Sequence, residues 1–154
     1  MNMYPDSIEQ AMEAAEVFTR VADARLAGHH DAAADTLNAF MRHDCDTDKH
    51  ECEAAAWRLC YLVTSGAMVT ADALRCQNHP QPGGFWGLVP LMGTVDDAPP
   101  CDLAAMRVLT AELNHDHAAV VDVMNAFCAE HGIVGVVGLL AAMFGIYSAT
   151  VIAP

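Results

Sequence analysis

Positive charge is scarce in this chain. Seven Lys and Arg stand against twenty Asp and Glu, for a formal net charge of −13. A nucleic-acid surface needs clustered cations to neutralise phosphates, so composition argues against that class of partner. An anionic membrane surface is disfavoured for the same reason. Aromatic residues are also few, at 6%, while the hydrophobic fraction is 54%. Ala, Leu, Val and Met must therefore fill the interior, which suits close-packed helices better than sheets. No Ser-His-Asp order, P-loop, GxGxxG, HExxH or kinase-type signature is present. No CxxC pair is present either, which leaves a thioredoxin-like or zinc-ribbon reading without support. The first ten residues, MNMYPDSIEQ, lack the basic stretch and apolar run of a signal peptide. The expectation is a cytoplasmic protein whose six cysteines, at 45, 52, 60, 76, 101 and 128, are reduced thiols. Cys60 and Cys128 fall on apolar helical faces and read as small core residues.

What the chain does have is a repeat. Residues 20–40, RVADARLAGHHDAAADTLNAF, align without a gap on residues 107–127, RVLTAELNHDHAAVVDVMNAF. At this offset of 87, ten of the 21 positions are identical. Self-similarity of this kind sets the architecture before any other signal. The expectation is an all-α fold: a pseudo-two-fold bundle of about six helices, built from two three-helix repeats in one domain spanning 1–154. Repeat 1 covers about 6–75, a linker 76–100, and repeat 2 about 101–152.

Asp6 or Ser7 opens the first helix, since both Asp6/Glu9 and Ser7/Gln10 have capping-box spacing. Its expected apolar face is Ile8, Met12, Ala15, Phe18 and Ala22, and it ends near Gly28. The second helix runs from about His30 to His43, with Ala33, Ala34, Leu37, Phe40 and Met41 at steps i, i+3, i+4, i+7. Val120, Val121, Met124, Phe127 and Cys128 repeat that pattern in the second copy. A third helix starts around Asp48 and runs to Leu74, with Gly66 loosening its middle by about 1 kcal/mol relative to Ala. In the second copy Asp102 reads as an N-cap, and helices are expected to Asn114, from after Asp116 to His131-Gly132, and from Ile133 to about Val151.

Residues 76–100 hold five of the seven prolines and four glycines and form the linker. Its length of about 25 residues is that of a functional or disordered loop, and its apolar residues favour a segment that tucks onto the bundle, with a short helical turn. Residues 132–153 are 22 uncharged residues, a transmembrane candidate by length. The repeat places them where residues 54–74 stand in the first copy, beside Glu53, Arg58, Asp72 and Arg75. The segment is therefore read as a core helix and the third helix of each copy as the most buried. Aligning the third helices takes an offset near 80, so the first copy carries roughly seven extra residues around HDCDTDK.

Four constellations carry chemistry. The repeated polar set is Arg20, His30, Asp35 and Asn38 with Arg107, His117, Asp122 and Asn125. It either fixes each hairpin through an Arg–Asp or Arg–Asn contact or lines one pocket between the copies. The stretch His43 to Cys52 contains every common metal-ligand type, and His43, Cys45, His50 and Cys52 would make a four-ligand zinc site. Its alternative is a polar loop whose acids cap the third helix. An EF-hand reading fails because Lys49 and Ala55 occupy the required Gly and Glu positions. His115-Asp116-His117 reads as a polar turn. Phe85 and Trp86 either form a partner-binding tip or close the open end of the bundle.

The hairpin LAGHHDAAADTLNAF followed by an Ala/Leu-rich helix resembles a pattern of small uncharacterised helical proteins of high-GC actinobacteria and their phages. It also loosely resembles a tetratricopeptide-type turn, without that family's Trp, Tyr and Pro positions or its period. The resemblance covers about 20 residues per copy and implies antiparallel helices. The reading taken is a non-enzymatic acidic protein that acts by binding another protein with a basic surface, in a regulatory, phage-encoded or immunity-type role. Two alternatives stay open: a metal- or small-ligand-binding protein using the 43–52 loop, and an enzyme with an Arg/His/Asp site between the repeats. A homodimer is open too, because glycine-rich helices pack within one chain or between two.

Overall fold

The computed structural model describes residues 7–42, 51–78, 84–88 and 94–152. Among them are five helices and no strand: α1 (Ile8–Leu26), α2 (His30–Arg42), α3 (Glu51–Gln77), α4 (Pro100–Leu113) and α5 (His117–Ile152). A single 3₁₀ turn, Val95–Asp97, is the short helical piece expected in the linker. Five helices stand where about six are expected because α5 takes in the last two. Its backbone breaks at Gly132, at φ 61° and ψ −163°.

Local chemistry sets most of the ends. Ser7 caps α1 by accepting the Gln10 N–H at 3.1 Å. After Leu26 the chain turns through Gly28 at φ 77°. There the Gly28 N–H donates to Arg25 O and the His29 N–H to Ala24 O, which is a Schellman motif. After Leu113 the same two bonds recur 87 residues on: the His115 N–H donates to Glu112 O and the Asp116 N–H to Ala111 O. Here the left-handed residue is His115, at φ 58°. Asp116 then caps α5 by accepting the Ala119 N–H at 3.0 Å. Asp102 does not cap α4; the helix starts at Pro100, the ring fixing the φ that the first turn requires, and Asp102 sits in that turn as a favourable acid.

α3 is the element the rest of the fold packs around. It contacts α1, α4 and α5, while α1 pairs with α2 and α4 with α5. Leu59, Cys60, Val63, Thr64, Ala67 and Thr70 of α3 are buried, and so are Leu139, Leu140, Met143, Phe144, Tyr147 and Thr150 of α5, each 80 residues on. Two arginines of α3 bind carbonyls near the ends of other helices. Arg58 donates to Phe40 O at 2.5 Å and lies over the Phe40 ring. Arg75 donates to Glu112 O at 2.6 Å and Leu113 O at 3.3 Å. These groups have no intrahelical partner, and a cation at a helix C-terminus also opposes the dipole.

Three expectations about burial are corrected. The buried face of α1 is Ala14, Val17, Phe18, Val21 and Ala22. Ile8 and Met12 belong to a neighbouring stripe and are 80% and 67% exposed. Gly66 does not merely loosen α3: a Cβ there would lie 2.3 Å from the Phe18 ring, so its bareness is what admits Phe18 to the core. Finally, the last half of α5 is buried along one face only. Val134, Val137 and Ile152 are exposed, and 33% of its most apolar window is buried. By length and composition this helix could cross a membrane.

Candidate functional site

Asn114, the residue after α4, holds the linker. Its Oδ1 accepts the Trp86 N–H at 2.9 Å, and its Nδ2 donates to Trp86 O at 3.1 Å and to Thr110 O at 2.8 Å. One side-chain amide thus brackets the backbone of one linker residue, as a neighbouring strand would. The bracket separates the two aromatic residues that sequence treats as a pair. Trp86 is partly buried and packs against the core, while Phe85 is 89% exposed. Closing the bundle and forming an exposed tip are therefore both realised, by different residues.

Phe85 borders two grooves. One, of about 430 Å³, is walled by Leu88, Val95, Leu103 and Met106, with Arg107 and Asp116 among its polar residues. The other, of about 360 Å³, contains Arg75, Trp86, Asn114 and His115. A third groove, of about 470 Å³, runs between α4 and α5. Arg107 and Asp122 meet there with Glu130 and His131 over an apolar floor that includes Val123 and Phe127.

The repeated polar set does not gather at one place. Arg20, His30, Asp35 and Asn38 are exposed, as are Arg107, Asp122 and Asn125. None of these seven side chains makes a hydrogen bond or ion pair among the described residues, so the expected Arg–Asp or Arg–Asn contact across each hairpin is not formed. Solvated Arg and Asp gain little from pairing at an exposed site. Arg20, His30 and Asp35 line none of the three grooves. His117 is the exception, with its Nδ1 3.6 Å from Oε2 of Glu112. The Glu112 side chain is 4% exposed, a buried acid that the sequence reading did not single out.

The proposed metal ligands His43, Cys45 and His50 lie outside the described residues, and so does the side chain of Cys52. Among the described residues no group of three His, Cys, Asp or Glu side chains is placed to hold a metal ion.

One pairing escaped the sequence reading. The thiols of Cys60 on α3 and Cys128 on α5 are hydrogen-bonded to one another. Burial, then the neighbouring Cys128, pushes Cys60 up to about 12, and burial raises Cys128 as well. Burial, followed by the Asp23 carboxylate, also raises Tyr147. The sequence signal for the thiol pair was only that both cysteines sit on apolar faces; which faces meet is a tertiary fact.

Comparison with protein-family models, with curated proteins and with solved structures finds no match to this chain.

Proposed function

We propose that this protein is a non-enzymatic binding module built from two three-helix repeats, acting in the cytoplasm on a protein partner with a basic surface. The observation that carries the reading is Phe85. A large aromatic side chain stands 89% exposed on a segment whose next residue is fastened by three Asn114 hydrogen bonds. Burying a ring of this kind in a partner's pocket contributes about 2–3 kcal/mol, and fixing the loop beforehand lowers the ordering cost. The groove next to it is walled by aliphatic side chains, and the chain around it carries a net charge of −13. An aromatic anchor in an acidic surround fits a partner that offers an apolar pocket rimmed by Lys and Arg. The repeat architecture is supported by the turn bonds that recur at an offset of 87 and by the buried positions that recur at 80.

The test is retention of partner protein from host lysate on immobilised wild type and on Phe85→Ala. The expected result is a protein held by wild type, released as salt rises, and lost with the variant. Retention that ignores both Phe85 and salt would sink the reading.

A second reading rests on the groove between α4 and α5, where Arg107, Asp122, Glu130 and His131 face one space. That set suits a small ligand carrying both an anionic group and a hydrogen-bond donor. A ligand screen by thermal shift separates the two readings, since such a ligand would lose its effect with Arg107→Ala and keep it with Phe85→Ala.

A further inference from the structure

We propose that Cys60 and Cys128 are a modification site: a dithiol that a hydroperoxide converts to an intramolecular disulfide joining α3 to α5. The two residues come from helices that pack directly on each other, and their sulfur atoms meet with a hydrogen bond between them. Contact between two thiols from residues this far apart in sequence is the geometric condition that a disulfide needs. The other described cysteines lack it. Cys76 is exposed at the end of α3, and Cys101 is turned toward Gly135 O at 3.9 Å.

The two members differ in access, which assigns their roles. Cys128 is partly exposed and Cys60 is 3% exposed. The Cys128 thiolate attacks the nearer oxygen of the peroxide. The S–O bond forms, the O–O bond breaks, and the alcohol or water leaves with the proton. Cys60 then attacks the sulfur of the resulting sulfenic acid. The S–S bond forms, the S–O bond breaks, and the departing hydroxide takes the Cys60 proton as water. Two thiols and one hydroperoxide give one disulfide, one alcohol (or water) and one water. The thiols lose two electrons and the peroxide gains them. Because both thiols are held protonated by burial, closure is slow at neutral pH and its rate rises about tenfold per pH unit while the thiolate remains the minor form.

The experiment uses the full, reduced chain exposed to hydrogen peroxide, quenched, alkylated under denaturing conditions and mapped by mass spectrometry. The expected product is a peptide pair joining Cys60 to Cys128, lighter by two hydrogens and restored by reductant. It should accumulate faster at pH 8.5 than at pH 7 and be absent from Cys60→Ala and Cys128→Ala. Cys60→Ala also keeps the proposal falsifiable by a second route, since it should halt Cys128 at a sulfenic acid trapped by dimedone. Disulfides that join only other cysteines, or full alkylation of both residues after exposure to peroxide, would overturn it.

Discussion

The two hairpins meet their long helices in opposite ways. α1 drives a large ring into α3. Phe18 is fully buried, stacks on Phe144 at 4.6 Å and meets Tyr147 edge-on at 5.5 Å, and it occupies the space that the bare Gly66 leaves. At the matching position α4 carries Ala105, also fully buried. There the notch is in α5: a Cβ on Gly138 would lie 2.7 Å from the Cys101 sulfur. The same pair of elements is thus joined once by a ring in a glycine notch and once by small residues at close approach. Repetition of sequence fixed helix lengths and turns but left each contact free to find its own complementary volumes.

The largest effect should follow from breaking the first of these contacts. Phe18→Ala removes the ring and leaves a cavity, at a cost of about 3–5 kcal/mol in urea unfolding. Gly66→Ala should cost less, about 1–3 kcal/mol by overpacking, and the two substitutions together should cost less than their sum, because the smaller residue at 18 vacates the space the new methyl takes. Strict additivity would show that Phe18 and Gly66 are not one contact.

A second test uses the difference between Cys60 and the residue 80 positions on, Leu140, since only one of them titrates. The folded-state value of Cys60 is raised from 9.0 to about 12. Its contribution to stability is therefore complete below pH 9 and is lost as pH rises from 9 toward 12. The urea midpoint should fall across that window, and Cys60→Ala should flatten the fall. An equal fall in the variant would assign the alkaline sensitivity elsewhere.

The smallest effect compares the turns. Gly28 and His115 share a left-handed backbone, at φ 77° and 58°. Gly28→Ala should destabilise by about 1 kcal/mol, and His115→Gly should stabilise by about 0.5 kcal/mol as the Cβ clash disappears. Equal signs would mean that the Arg75 Nη2, 3.5 Å from His115 Nδ1, holds the histidine in place strongly enough to offset the strain.

Local patterns made much of the fold legible. Ser7, Gly28 and Gly132 announce a cap, a turn and a break through the conformations they allow, and the repeat transfers the turn at Gly28 to His115, where no glycine marks it. What depended on distant faces meeting was not legible. Ile8 and Met12 have helical spacing with Phe18, yet the helix turns a neighbouring stripe inward. Phe85 and Trp86 are adjacent and equally apolar, and only Asn114, 28 residues beyond Trp86, determines which of them is buried. Glu112 carries no sequence sign of burial. Cys60 and Cys128 are two core cysteines among six until α3 and α5 are laid together.

Gly132 has a consequence for assembly. Its φ/ψ pair belongs to a region open in practice to glycine alone, and a side chain there would meet no neighbour, so the constraint is purely one of backbone. With any L-residue at 132 the cheapest geometry becomes an unbroken helix about 54 Å long. Its last half would swing off α3 and carry Phe144 and Tyr147 into water. The one surface shaped to receive them is the vacated seat on another copy. Two such chains would exchange their C-terminal halves, so Gly132 is the residue that keeps this chain's last helix in its own fold and prevents a domain-swapped dimer.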